Sequence, residues 1–145
     1  MVNILVILIL LAIGYGFGSY AEQKHYKSIR QREQATLHVP IITFGAKQPI
    51  PDAQETELFV GSVVVASDYF KTFALTLRNL IGGRVVSYES LLDRGRREAL
   101  LRMKEEAIAW GASQLANVRI ETSSLSQGSQ GFFSIEVIAY GTGIR

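Results

Sequence analysis

From Met1 to Ala21 the chain carries no charged side chain, and Ile4 to Ile13 is an unbroken aliphatic run. No other feature constrains the fold as strongly. A helix over this stretch is roughly 30 Å long, the thickness of a bilayer's hydrocarbon core. Tyr15, Phe17 and Tyr20 place amphipathic rings where an interface would lie. The expectation is one transmembrane helix over residues 1–21, with the lipid bilayer as partner. Two rivals are weaker. A signal peptide opens on basic residues, whereas Met1-Val2-Asn3 has none, although Ser19-Tyr20-Ala21 would pass as a cleavage sequence. A buried helix of a small domain would need cover on every side of its aliphatic run.

Lys24, Lys27, Arg30 and Arg32 come after the apolar run and nothing basic precedes it. Positive residues stay inside, so the amino terminus is expected outside and the rest of the chain in the cytoplasm. The absence of cysteine agrees with a reducing compartment, and it removes disulfides and thiolate chemistry. Gly14, Gly16 and Gly18 lack the preceding strand and the downstream Lys-Ser or Lys-Thr of a phosphate loop. Gly14 and Gly18 have the spacing that lets transmembrane helices pack closely.

Residues 22–57 read as a juxtamembrane helix and linker. The four basic residues nearest the apolar run attract anionic headgroups at about 1 kcal/mol each, or serve only as topology signals. His38 to Phe44 is β-prone, with Pro40 excluding it from a central strand. Pro49, Pro51 and Asp52 mark an extended loop.

The domain runs over residues 58–145. Leu58 to Ser67 is rich in β-branched residues and reads as a strand buried on both faces. Asp68 stands as a helix N-cap, an apolar stripe runs from Phe70 to Ile81, and Gly82-Gly83 closes that helix. A second helix spans about Tyr88 to Trp110, with Leu92, Ala99, Met103, Ala107 and Trp110 toward the core and Gly111 at its end. Its other face pairs Asp93 with Arg97, Glu98 with Arg102 and Arg102 with Glu106, which reads as a solvated charge lattice. Ala116, Val118 and Ile120 alternate in one strand, and Phe133, Ile135, Val137 and Ala139 in the next. A loop over Thr122 to Gly131 joins them. The expected fold is α+β, in the order β-α-α-β-β, with helices on one face of a small antiparallel sheet. Ile138 and Tyr140 fall on the outward face, where either another subunit or the linker strand would cover them.

Gly61 with the valines after it, Asp68-Tyr69-Phe70, Gly82-Gly83-Arg84, Tyr88-Glu89, Gly111-Ala112, Asn117-Val118-Arg119 and Ala139-Tyr140-Gly141-Thr142 recur in this order in one family. On these motifs the chain resembles the YbjQ family, also called UPF0145 or the heavy-metal-binding domain family. The resemblance implies a dodecin-like subunit and ring-shaped homopentamers, that is, self-association. It also implies a heavy-metal role, which the residues oppose. Soft metals take thiolate, thioether or imidazole ligands. The chain offers no cysteine, only His25 and His38, and Met1 and Met103. Neither a metal site nor a cofactor is therefore expected, although a hard cation on Asp68 and Glu89 is a minor alternative.

The expected function is that of a membrane-anchored, ring-forming, non-enzymatic binding or scaffold module from a bacterium. Gly82, Gly83, Arg84, Tyr88 and Glu89 are its candidate ligand contacts, since glycine admits close approach and a guanidinium forks onto a carboxylate or phosphate. The alternative is a small-ligand or metal-ion binding protein, with a carboxylate hydrolase behind it. A hydrolase has little to work with. No histidine lies in the domain, Ser129 lacks the context of a nucleophile elbow, and Asp68 with Glu89 or Glu136 are the only acid–base candidates. Nucleic acid is not an expected partner, because the domain's ten basic and eight acidic residues are interleaved.

Overall fold

A computed structural model describes residues 2–45, 47–48, 53–66, 86–125 and 134–145. Its elements are α1 (Val2–Ala35), β1 (Ile41–Ile42), β2 (Thr56–Ala66), α2 (Val86–Trp110), β3 (Gln114–Leu125) and β4 (Ser134–Ile144). The expected helix after Asp68 lies outside the described residues.

Among the described residues no helix is long and apolar enough to cross a membrane. This corrects the expected transmembrane anchor and the outside-to-inside orientation built on it. The unbroken aliphatic run covers about 15 Å of helix, half a hydrocarbon core. Glycines, tyrosines and a serine dilute the next two turns, Gly14 to Tyr20. From Glu22 onward the helix is polar, and Ile29 is fully buried. α1 is thus one rod of 34 residues whose second half belongs to the domain. It stops where the Thr36 N–H and hydroxyl both donate to the Arg32 carbonyl at 3.0 Å, and Pro40 then directs the chain into β1.

The sheet has the order β1-β3-β4-β2, with β1 parallel to β3 and the other pairs antiparallel. The expected all-antiparallel sheet is therefore corrected to a mixed one. Ile41 and Ile42 pair with Leu115 and Ala116 at the edge, the position that Pro40 permits. β2 runs in full register along β4, from Thr56 opposite Ile144 to Ala66 opposite Ser134. It is buried on one face only: Phe59, Gly61 and Val65 point inward, while Leu58, Val60 and Val64 are exposed. The expected cover on both faces of the valine run is corrected too, since α2 packs on just one.

β3 departs from simple alternation. Asn117 takes a left-handed conformation at φ 52°, and one extra residue enters the strand between Ala116 and Arg119. Leu115 and Ala116 are consequently buried in succession, and Ile120 comes opposite Ala139. The strand then continues to Leu125, through residues expected to begin the loop.

α2 seats the expected stripe: Ala99, Met103 and Ala107 are fully buried against Phe59, Val65, Ile135, Val137 and Ala139. Its backbone crosses β2 at Gly61, where a Cβ would lie 2.2 Å from the Ala99 carbonyl oxygen. The helix ends in a Schellman turn. Gly111, at φ 101°, donates to Ile108 at 3.0 Å, and Ala112 donates to Ala107 at 2.9 Å. Phe59 and Trp110 rings meet at 5.6 Å between centroids, and the Arg145 guanidinium stacks 4.1 Å above Trp110.

Candidate ligand groove between α1, β2 and α2

Two neighbouring pairs of opposite charge build the site. Arg32-Glu33 on α1 and Arg97-Glu98 on α2 face one another in crossed register. The Arg32 guanidinium donates to Glu98 at 2.8 Å and, through two parallel bonds of 2.7 Å, to Glu105. Arg97 donates twice to Glu33, at 2.7 and 2.6 Å. Such forked pairs fix orientation as well as attraction. Asp93 stands 3.6 Å from Arg97, and the Tyr26 hydroxyl donates to the Ser90 carbonyl at 3.1 Å. The face expected to be a solvated lattice is therefore the docking face of α1. Its Asp93–Arg97 and Glu98–Arg102 pairs form as the spacing predicts.

Glu98 is only 6% exposed. Burial pushes its carboxyl up, but bonds from Arg102 and Arg32 outweigh that and leave it below the usual carboxylate range. Glu33 is likewise held low, chiefly by the bonds from Arg97. Burial, aided by Asp93 and Glu22, pushes the Tyr26 phenol up.

Beside this clamp lies a groove of about 460 Å³. One wall is α1, with Gly18, Ala21, Glu22 and His25. The other is α2, with Arg94, Glu98 and Arg102, and the floor is Val63 to Ala66 of β2. Both Glu98 carboxylate oxygens are taken, one by Arg102 at 3.0 Å and one by Arg32. Arg102 spends Nε on Glu98 and Nη1 on the Ser62 carbonyl, at 2.9 Å. Among the described residues these are the bonds of its guanidinium, and the Arg102 side chain is half exposed. The walls thus carry two guanidiniums, Arg94 and Arg102, and two carboxylates, Glu22 and Glu98, above a valine floor.

The groove is not the site expected from the sequence. Gly82, Gly83 and Arg84 lie outside the described residues, as do Asp68 and Ser129. Tyr88 and Glu89 fall in the first turn of α2, and Glu89 is exposed. Glu136 sits half-buried on β4, on the sheet face opposite α2. Gly14 and Gly18 lie on α1 with open space at their Cβ positions. Sequence reasoning does not bring His25, Arg94 and Arg102 together beside β2. The crossed match of Arg32-Glu33 to Arg97-Glu98 is the available signal, since it joins two helices at one place.

A family model described as "Putative heavy-metal-binding" matches residues 48–145. Similar proteins include a UPF0145 protein of Halobacterium salinarum, 35% identical over 70% of this chain and 95% of its own length. A UPF0145 protein of Saccharolobus solfataricus is 34% identical over 72% of this chain and 88% of its own. One of Natronomonas pharaonis is 44% identical over 48% of this chain, which spans 62% of that relative. Relatives occur in bacteria too, among them Clostridium novyi, so the expectation of a bacterial source is widened to both groups.

Proposed function

The chain belongs to the YbjQ (UPF0145) family, and from that premise we propose that it is a non-catalytic module binding a small anionic ligand in the groove between α1, β2 and α2. The observation that carries this reading is the pair of guanidinium residues, Arg94 and Arg102, above an apolar floor in a 460 Å³ cavity of ligand size. The family's heavy-metal description does not fit the residues present. The chain has no cysteine. Met103 is sealed in the core, and among the described residues no three His, Cys, Asp or Glu side chains gather as a metal site. The Arg94 fork is the group proposed to receive a carboxylate. Calorimetric titration with succinate should give saturable heat that falls at least about tenfold in affinity in Arg94→Gln, the loss of one charged hydrogen bond. Equal binding by the two proteins would remove the groove from consideration.

A second reading concerns self-association. Leu58, Val60 and Val64 are exposed on β2, and Ile138 and Tyr140 lie beside them on β4. An apolar sheet face of this kind favours a second copy over solvent. Sedimentation should then report a mass above the 16.0 kDa of one chain, and Val60→Lys should lower it. A monomer at all concentrations would contradict the reading.

A further inference from the structure

Val6, Leu10, Ile13, Phe17 and Tyr20 on the first half of α1 are each between 47 and 73% exposed. They follow one another at steps of four, three, four and three residues. That is the 3.5-residue repeat by which one helix lies along another, so the exposed stripe has the form of a seam. It runs about 21 Å along the helix. The exposed surface of its five side chains is about 600 Å² on each copy, so a pair of such seams covers about 1,200 Å², the lower end of what stable interfaces bury.

The distribution of charge says which helix fits the seam. Residues 2–21 carry no charged side chain, and the next two seam positions are the exposed Lys24 and Lys27. A second copy laid parallel would bring Lys24 against Lys24 of the partner subunit, and Lys27 likewise, setting like charges in the seam. A second copy laid antiparallel overlaps residues 2–21 with themselves and leaves all four lysines beyond the overlap. The two helix macrodipoles then oppose each other as well, which is favourable. In that register Val6 lies opposite Phe17 of the partner subunit, and Leu10 opposite Ile13 of the partner subunit. The uncharged segment is thus its own complement.

From this seam and the lysines that end it we infer that α1 pairs antiparallel with α1 of a second copy of this chain over residues 2–21. The pairing uses neither the groove nor the exposed face of β2 and β4, so it stands or falls separately from both.

The test uses the full chain with Val60→Lys, which takes the sheet face out of play. This variant should still sediment at twice the 16.0 kDa of one chain. Adding Leu10→Lys and Phe17→Lys, both at exposed positions, should return it to a single chain with its far-ultraviolet helix signal kept. A monomer with Val60→Lys alone would overturn the pairing, whether or not the unaltered chain assembles through its sheet. A dimer that survives Leu10→Lys and Phe17→Lys would overturn it as well. Because the chain has no cysteine, introduced thiols report the geometry without competition. A mixture of Val6→Cys and Phe17→Cys proteins, oxidised with glutathione disulfide, should give a mixed disulfide dimer that neither variant forms alone. Disulfide dimers of each variant alone would mean a parallel pair and overturn the antiparallel register. A monomer that floats with phosphatidylcholine vesicles would give the seam to lipid and overturn a second copy as its occupant.

Discussion

Arg32 on α1 and Glu98 on α2 stand 2.8 Å apart across a helix interface in which the Glu98 side chain is 8% exposed. The contact spans 66 residues of sequence and decides where α1 lies. Removing one partner of a buried pair leaves the other charged and unmatched, which costs more than the pair contributes. Arg32 is partly exposed, and Glu98 keeps Arg102, so Arg32→Ala should cost about 1–2 kcal/mol, below the full buried-pair value. Urea melts of Arg32→Ala, Glu98→Gln and the double variant should show a coupling energy of similar size. Strict additivity would mean that the two residues do not act together.

Acid should loosen α1. Glu33 and Glu98 both titrate below the ordinary value of 4.5 in the folded chain. Their contribution is therefore complete above that value and is lost as pH falls through the depressed values. Amide protection over Tyr26–Ala35, corrected for the intrinsic exchange rate, should fall as pH drops below about 4.5, before protection in β4 does. Simultaneous loss of protection in both elements would contradict a separate clamp.

Gly61 admits no side chain, because α2 lies on the strand backbone itself. Gly61→Ala should destabilise the domain by about 3 kcal/mol, the upper part of the overpacking range, with the melting midpoint as readout. A change below about 0.5 kcal/mol would show that α2 lifts from β2 without cost.

Soft metals should not bind. Calorimetry with zinc, copper or nickel should show no saturable heat, since the donor set lacks thiolate and its one domain methionine is buried. Stoichiometric binding of any of the three would reinstate the family's description for this chain.

Much of the domain is legible in sequence because local periodicity reports local burial. The stripe Ala99, Met103 and Ala107 and the inward row Ile135, Val137 and Ala139 are both buried as their spacing predicts. Gly111 marks the helix end for a conformational reason that residue type alone carries. The features that escape a linear reading are non-local. A hydrophobic run does not state how many faces it buries, so β2 reads as doubly covered. The swap of faces at Asn117 depends on a single left-handed residue. The apolar start of α1 dominates its reading, while the second half docks through charges whose partners lie over 60 residues away. The groove exists only once that docking is made, so along the chain Arg102 reads only as a partner of Glu98 and Glu106, and Arg94 has no visible place beside β2.

The most direct measurement is a map of backbone chemical shifts while succinate is added to the full chain. Concerted shifts at Gly18, Ala21, Val64, Ala66 and Arg94 with one dissociation constant are expected, and they should vanish in Arg94→Gln. Shifts confined to other surfaces, such as the separate cavity that Lys27 and Arg30 line with Asp93 and Arg97, or no shifts at all, would contradict a ligand site between α1, β2 and α2.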